Sequence, residues 1–289
     1  FVPEVVVVRV PAGAVVGPPL VVVQVVEGQG VATFGHVVVD TGAQSEATVV
    51  DHATGDGATA LSVPVTEVHA GDASNLRYVA VQTLGRDVWQ LGRLAVTAGR
   101  DATVRAWVLA MGGGYARVYV SAELPAQGST VDIAGVYFGD GGQTLDFRSL
   151  QDHVAPRSRS HFLLKGAVVD EAHGAYTGLI RVRAGAKRTD SFLTNRNLVL
   201  SEGAGVDSVP NLEIVNENDL SSCGHAAATG PVDEEHLFYL ESRGVPTGVA
   251  ERLIVHGFFD EVLAGVPVEG AREALREAVA GKLAGRAHA

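Results

Sequence analysis

The sequence predicts a mainly β protein that ends in a small helical region. From residue 1 to about residue 218, short runs of Val, Leu, Ile and Thr alternate with glycine-centred turns, and helical periodicity is almost absent. Glycine occupies 35 of the 289 positions, about 12%, where an ordinary chain has about 7%. After Gly230 the apolar residues adopt helical spacing. These three observations carry the fold class.

The first part of the chain divides into fourteen predicted strands. They are Glu4–Val10, Leu20–Val26, Thr33–Val39, Glu46–Asp51, Leu76–Gln82, Val88–Val96, Thr103–Leu109, Ala116–Ser121, Thr130–Tyr137, Leu145–Val154, His161–Val168, Ala175–Arg183, Asn197–Ser201 and Asn211–Val215. Because no helix of convincing length interrupts them, the pattern argues against βαβ crossovers and a Rossmann-type sheet.

A faint internal similarity helps to choose among all-β folds. The segment from Gly42 to Val49 reads like the segment from Gly99 to Val104, and the turn from Glu202 to Val206 has the same small-residue character. Recurrent Gly/Ala turns followed by Thr-Val strands suit a solenoid of stacked strands, where glycine permits tight corners. The pattern alone leaves the solenoid and a sandwich or barrel as open alternatives.

Three helices are predicted at the C-terminal end. The first opens with three carboxylates at 233–235, where the helix dipole favours them, and ends at Gly244. The second runs from Pro246 to about Ala264, and the third from Glu269 to about Leu283. We therefore expect a β body over residues 1–230 and a helical domain over residues 231–289.

Composition excludes several classes of protein. With 33 acidic and 22 basic residues, the net charge of −11 argues against binding to nucleic acid or to an anionic membrane. No apolar run approaches the roughly 18 residues that span a bilayer, and the start lacks the basic region of a signal peptide, so we expect a cytoplasmic protein. Since the chain begins at Phe1 rather than Met, we also expect an upstream segment, whose identity the sequence does not give.

The single cysteine, Cys223, makes an intramolecular disulfide or a self-sufficient four-cysteine cluster site impossible. Phosphate-loop, HExxH, CxxC and GxSxG motifs are all missing, which favours a non-enzyme. Asp152 and His153 are adjacent on a predicted strand, so their side chains should point to opposite faces. Cys223 and His225, two residues apart, could both reach a soft or borderline metal. Two ligands are too few, so another chain would have to complete such a site; without further information the segment reads as a structural loop.

Several spaced segments resemble the SufB/SufD family, the scaffold proteins of the SUF iron–sulfur cluster assembly system. They are Asn195–Ser201, Asp207–Ile214, Gly224–His225, Ala228–Gly230 and Leu237–Gly244. The Gly224–Ala227 stretch and the Leu-Phe-Tyr-Leu-x-Ser-Arg-Gly helix after it resemble the SufD branch. The chain departs from the common His-Gly-Ala-Thr run of the family, because three alanines separate His225 from Thr229.

The resemblance implies a right-handed parallel β-helix with a small helical C-terminal domain. It implies a non-catalytic scaffold that pairs with SufB through the β-helix and docks the ATPase SufC through its C-terminal helices. The family histidine of cluster assembly maps onto His225, a transient metal ligand shared with the partner, and its thiol neighbour maps onto Cys223. The candidate partner-binding residues on the helices are Phe238, Tyr239, Arg243, Leu253, Phe258, Phe259 and Val262. The iron–sulfur cluster would be transient and shared with SufB, while a flavin in the assembled complex and a homodimer in isolation are left open.

Two other kinds of function compete with this interpretation. A β-helix enzyme that acts on polysaccharide would need a cleft lined by Asp/Glu, Arg or Lys from successive coils, often with calcium, and the sequence shows no regular carboxylate ladder. A self-pairing structural β-solenoid would use its end strands, since such strands expose unpaired backbone groups.

Overall fold

The computed structural model describes residues 5–215 and 219–285. Within them it has eighteen strands and three helices. The strands are β1 (Val5–Val10), β2 (Leu20–Val26), β3 (Val31–Thr33), β4 (His36–Thr41), β5 (Glu46–Gly55), β6 (Ala60–Ser62), β7 (Val65–Ala70), β8 (Asn75–Gln82), β9 (Val88–Ala98), β10 (Thr103–Ala110), β11 (Tyr115–Leu124), β12 (Thr130–Gly139), β13 (Thr144–His153), β14 (Arg159–Val168), β15 (His173–Val182), β16 (Asp190–Val199), β17 (Gly205–Ile214) and β18 (Ser222–Gly230). The helices are α1 (Glu234–Ser242), α2 (Thr247–Leu263) and α3 (Glu269–Gly285).

The strands form two parallel sheets. Sheet A has the order β1-β4-β7-β9-β11-β13-β15-β17 with β3 and β6 at its side, and sheet B has the order β18-β16-β14-β12-β10-β8-β5-β2. Pairing partners lie one coil apart in the sequence, as where Thr103 pairs with Thr130 in sheet B and His36 pairs with Val65 in sheet A. Each coil therefore contributes one main strand to each sheet. The result is a parallel β-solenoid of about eight turns, which confirms the predicted β-helix and excludes the sandwich and the barrel.

Each coil turns from sheet A to sheet B through a corner of the same kind. In five coils a non-glycine residue with a φ value from 55° to 58° lies at this corner, and in two others Gly13 or Gly128 takes the positive-φ position; the five are Gln44, Ala73, Asp101, Arg157 and Arg188. Gly42 and Gly99 lie two residues before such positions, and a Cβ on Gly42 would come within 2.4 Å of the Ala12 backbone. The similarity of these two segments thus marks equivalent corners, whereas Gly203 lies at the opposite corner, between β16 and β17.

Side chains on alternate positions fill the interior of the solenoid. On β12, Val131, Ile133 and Tyr137 belong to the interior cluster. The intervening residues Val136 and Phe138 point outward, yet they are also fully buried. A strand covered on both faces needs apolar residues on both, which explains the continuous apolar run in this part of the sequence.

The helices begin and end close to where the sequence predicts them. The side chain of Asp233 caps α1 by accepting hydrogen bonds from the backbone N–H groups of Glu235 at 2.9 Å and His236 at 3.3 Å. Helices α2 and α3 pack on the outer face of sheet B and bury Phe259 and Val279 there. This apolar contact is why the C-terminal halves of the sheet B strands are buried on both sides.

Two of the three lysines tie the helices to the sheet. Lys165 on β14 donates to the Phe258 carbonyl at 2.7 Å and to the Glu261 carboxylate of α2. Lys282 on α3 donates to the Asp140 carboxylate and, at 2.7 Å, to a side-chain oxygen of Gln143. Burial lowers the pKa of both ammonium groups, while the paired carboxylates act in the opposite direction. The helices are thus held by charge as well as by apolar burial.

Some element predictions were wrong. The predicted strand Asn197–Ser201 overlaps only the end of β16, and β3, β6 and β7 were not predicted. The segment that reads as a structural loop, from Ser222 to Gly230, is a strand. The division into domains at residue 230 stays a prediction. In the described part of the chain, no helix has both the length and the apolar character needed to cross a bilayer.

Candidate functional site

Both sheets end in a strand with one unpaired side at the C-terminal end of the solenoid. β17 pairs only with β15 in sheet A, and β18 pairs only with β16 in sheet B. The strands β17 and β18 therefore define an open end of the solenoid among the residues described. Pro210 lies within β17, and proline is tolerated in a strand chiefly at such an edge.

Cys223 and His225 lie on the same face of β18. The parallel register pairs Cys223 with Ser191 and His225 with Leu193, and both of these β16 residues are buried in the interior. Since paired residues of neighbouring parallel strands share a face, the thiol and the imidazole belong to the inner side of the last coil. No further coil covers them within the described residues, so His225 is exposed and Cys223 is half-buried.

The environment of Cys223 favours the protonated form of its thiol. Partial burial raises the pKa of the thiol, and the negative charge of Asp190 on β16 raises it further. A thiolate ligand must be deprotonated, so binding of a metal would have to displace the proton. A nearby positive charge from a metal or from a partner would lower the cost of that step.

The donor set at the open end fits part of an iron–sulfur site. A thiol and an imidazole are soft or borderline ligands of the kind that bind iron and clusters. Across residues 5–215 and 219–285, no three or more His, Cys, Asp and Glu side chains lie together in a group that could hold a metal ion. Cys223 and His225 therefore offer two donor groups on one face, which are too few to hold a metal ion by themselves.

A buried polar network lies below Cys223 inside the solenoid. The Ser191 hydroxyl is 2.9 Å from that of Ser160, which is 2.8 Å from Nε2 of His153. Asp152, next to His153 in sequence, instead binds Arg183 through two hydrogen bonds of 2.9 and 2.6 Å. The structure thus places Asp152 and His153 on opposite faces of β13 and does not join them in one site.

The C-terminal helices present a second candidate surface. Phe238 is 72% exposed, Tyr239 57% and Leu253 53%. Arg243 is also exposed, and its guanidinium lies 5.3 Å from the centre of the Tyr239 ring. Helix α1 has no buried residue, so its aromatic side chains are not used in the interior of the chain.

The remaining predicted partner-binding residues face the sheet. Phe259 and Val262 are fully buried against the outer face of sheet B. Phe258 is half-buried, with the Lys165 ammonium 4.4 Å from its ring centre. Phe259 and Val262 are thus inaccessible to a partner in this structure, because the apolar stripe of α2 is covered by the chain's own sheet.

Sequence reasoning missed the apolar side chains at the open end. Val209 and Leu212 on β17 and Val215 after it are exposed. They are spaced three residues apart in a run that reads as an ordinary strand. Only the knowledge that β17 is an end strand would have identified them as exposed. Lys165 was missed as well, since nothing in the local sequence indicates that this lysine is buried.

One groove of the β body bears on the polysaccharide alternative. It lies at the N-terminal end of the solenoid and has a volume of about 780 Å³. It is lined by valines of β2 together with Phe34, His36 and other residues, none of which carries a carboxylate. This lining does not suit hydrolysis of a sugar chain, which needs a pair of acidic groups.

Comparison with known protein families gives a match over most of the chain. The family model described as "SUF system FeS cluster assembly, SufBD core domain" matches residues 24–258. The chain belongs to the SufB/SufD family. The description of this family is iron–sulfur cluster assembly by the SUF system, which agrees with the coarse function that the resemblance predicted.

Three SufB/SufD relatives show the extent of the similarity. An iron–sulfur cluster assembly SufBD family protein of Mycobacterium bovis is 39% identical over 259 residues, which are 87% of this chain and 64% of that protein. SufD of Bacillus subtilis is 32% identical over 270 residues, 92% of this chain and 61% of that protein. SufD of Escherichia coli is 31% identical over 187 residues, 65% of this chain and 44% of that protein. The chain spans less than two thirds of the length of these relatives, and the two SufD proteins confirm the predicted SufD branch.

Proposed function

We propose that this chain is a non-catalytic scaffold subunit of the SUF system that pairs with SufB through the open end of its solenoid. The observation that carries the proposal is that β17 and β18 both end their sheets with one unpaired side. Unpaired backbone N–H and C=O groups invite a strand from another chain. Exposed Val209, Leu212 and Val215 beside these edges supply apolar area to the same contact.

The cluster would form at this contact. His225 is exposed on the inner side of the last coil, where a SufB strand added to sheet B would face it. Cys223 lies two residues away on the same face, so it is the second ligand of this half of the site. SufB would supply the remaining ligands, because the described part of this chain holds no larger group of them nearby.

We further propose that SufC docks on the exposed side of α1 and α2. The amphipathic side chains available there are Phe238, Tyr239 and Leu253, with Arg243 next to Tyr239. Aromatic and arginine side chains contribute most to protein interfaces. Phe259 and Val262 are left out of this proposal, since they pack on sheet B, whereas Phe258 contributes only its accessible edge.

The packing of α2 suggests how movement of SufC would reach the cluster site. Glu261 of α2 accepts from Lys165 on β14 and lies 3.9 Å from Arg196 on β16. β16 is the strand that carries β18. A force on α2 would therefore act on the strand beneath His225, while the energy of ATP hydrolysis comes from SufC, because this chain has no phosphate loop.

Co-purification and cluster reconstitution test the proposal. The chain should co-purify with SufB and SufC, and its His225→Ala variant should still do so but should form less cluster when the complex is treated anaerobically with iron and sulfide. His69→Ala, a change of the same kind at an exposed histidine of β7 in sheet A, is the matched control and should behave as the unmodified chain. Failure to bind either partner would refute the scaffold role.

The same edges favour one second candidate, a homodimer in the absence of SufB. Two copies could join through β17 and β18, since an end strand can pair with its own copy. Mass measurement of the chain alone and with SufB separates the two states. A monomer in both conditions would refute pairing through this end.

A further inference from the structure

Two asparagines of β16 form a reciprocal amide pair inside the solenoid. Asn195 Nδ2 donates to Asn197 Oδ1 at 3.2 Å, and Asn197 Nδ2 donates back to Asn195 Oδ1 at 2.8 Å. The pair is also tied to earlier coils: the Tyr137 hydroxyl donates to Asn197 Oδ1 at 2.8 Å, and Asn195 Nδ2 donates to the Leu164 carbonyl at 3.3 Å. Both asparagines are almost completely buried.

The same pair reaches both strands of the open end. The Ser208 hydroxyl of β17 donates to Asn195 Oδ1 at 2.8 Å, and Asn197 Nδ2 donates to the Thr229 hydroxyl of β18 at 3.1 Å. Each amide oxygen thus accepts two hydrogen bonds and each amide nitrogen donates two, so neither group has unused capacity. A fully satisfied buried network of this kind favours one arrangement of the chain over its neighbours.

β18 has little else to specify its register. Its sequence between Gly224 and Gly230 consists of His225, three alanines and Thr229, so no large apolar side chain anchors it to the interior. Small-residue strands are prone to slip, and a slip of one residue turns every side chain to the opposite face. Between Ala226 and Gly230 only Thr229 carries a polar side chain, so only the observed register gives Asn197 an oxygen to bind.

We propose that the Asn195–Asn197 pair, acting through Thr229, sets the register of β18 and thereby holds Cys223 and His225 on the inner side of the open end. The asparagines and Thr229 are positioning residues in this proposal, because the buried pair and its hydrogen bond to Thr229 act on Cys223 and His225 only through the placement of β18. The inference rests on the proposed function only for the role of Cys223 and His225 as cluster ligands. The register of β18 is a property of the isolated chain. It also gives a physical role to three of the segments that carry the family resemblance.

The only cysteine of the chain makes the register measurable. Cys223 is half-buried in the observed register, and a slip of one residue would carry it to the outer, accessible face. We expect Thr229→Val, which keeps the shape and removes the hydroxyl, to speed alkylation of Cys223 by iodoacetamide several-fold. Thr229→Ser keeps the hydroxyl and should restore the slow rate. Measuring the rates across the titration of the thiol separates access from a change in thiol pKa.

Two further variants complete the test. Thr177→Val makes the same change at an exposed threonine of β15 and should leave the alkylation rate unchanged. Thr229→Ala removes the hydroxyl with less bulk and should react like Thr229→Val, which excludes a packing effect of valine. A folded Thr229→Val variant that reacts no faster than Thr177→Val would overturn the proposal. Loss of the folded state in both Thr229→Val and Thr229→Ala would also overturn the proposal, since Thr229 would then be needed for folding of the last coil and not only for the register of β18.

A second readout connects register to the cluster site. In complex with SufB, Thr229→Val should keep the partner but form several-fold less cluster, measured by charge-transfer absorption after anaerobic reconstitution, and Thr229→Ser should recover it. If His225→Ala has no effect on reconstitution, the proposed half-site fails while the alkylation result still decides the register. If Thr229→Val changes the alkylation rate of Cys223 but not the cluster yield, Thr229 sets the register of β18 but the proposed positioning of the cluster ligands is refuted.

Discussion

A buried imidazole should make the stability of this protein sensitive to mild acid. His153 has no exposed surface, and its ring nitrogens lie 2.7 Å from the Ser158 hydroxyl and 2.8 Å from the Ser160 hydroxyl. Burial lowers the pKa of His153 from 6.5 to about 4, although the charges of Asp152 and Asp190 oppose the shift. The folded chain therefore holds this ring in its neutral form.

The size of the effect follows from the pKa difference. The unfolded chain binds a proton below pH 6.5, whereas the folded chain does so only below about pH 4. The contribution of neutral His153 to the free energy of unfolding is therefore fully present above pH 6.5 and is lost as the pH decreases towards 4. At about 1.4 kcal/mol per pKa unit, His153 alone should remove about 3 kcal/mol from the free energy of unfolding once the pH is well below 4.

Urea unfolding at a series of pH values measures this loss. His153→Gln keeps hydrogen-bonding groups at the site but removes the titrating ring. Both proteins share the same carboxylates, so the contribution of these groups to the pH dependence cancels in the comparison. We expect the variant to be less stable at neutral pH and the gap to narrow, or to reverse, as the pH falls. Thr177→Gln, at an exposed position of β15, removes no titratable side chain and should give a curve parallel to that of the unmodified chain. Parallel curves for the unmodified chain and His153→Gln would refute the reasoning.

Three other changes probe the corners, the helix attachment and the docking surface. Gly99→Ala places a Cβ 2.8 Å from the Ala70 carbonyl oxygen and should lower the free energy of unfolding by about 1–3 kcal/mol, whereas Gly142→Ala, with open space around it, should be nearly neutral in the same urea titration. Lys165→Met should lower the free energy of unfolding by about 1–2 kcal/mol, since it removes the contact with Glu261; the loss stays this small because the Glu261 carboxylate can be solvated by water. The variant should also speed hydrogen exchange in α2, and unchanged exchange would contradict the attachment of α2 through Lys165. Phe238→Ser should leave the thermal midpoint unchanged, since the ring is largely exposed, but weaken binding of SufC in a pull-down; equal binding would remove this residue from the docking surface.

Local signals were sufficient for the helices. An acidic N-cap at Asp233, a glycine at Gly244 and a proline at Pro246 mark ends that depend on neighbours within one helical turn. The bounds of α1, α2 and α3 therefore follow from the sequence almost residue by residue. The same holds for the glycine corners, where Gly42 and Gly99 mark equivalent turns because backbone passes close to both.

Local signals were insufficient where a distant coil decides the structure. β18 reads as a loop because its residues are small and polar, but pairing with β16 over its full length makes it a strand. Phe259 and Val262 read as a docking face because α2 is amphipathic, and only the packing of α2 on sheet B shows which surface covers them. The apolar stripe of α2 indicates that another surface covers it, but the stripe does not indicate whether that surface belongs to this chain or to a partner.

For the candidate site, the sequence determined the ligand types and the need for a second chain. One cysteine and one nearby histidine cannot complete a cluster site, whatever the fold. The tertiary structure decided that Cys223 and His225 share the inner face of an end strand, and that Asn195, Asn197 and Thr229 join in one network beneath them. The physical reason is the solenoid itself: neighbours in space are separated by a whole coil of the chain, so alternation within one strand reveals a face but not which residues of the next coil lie against it.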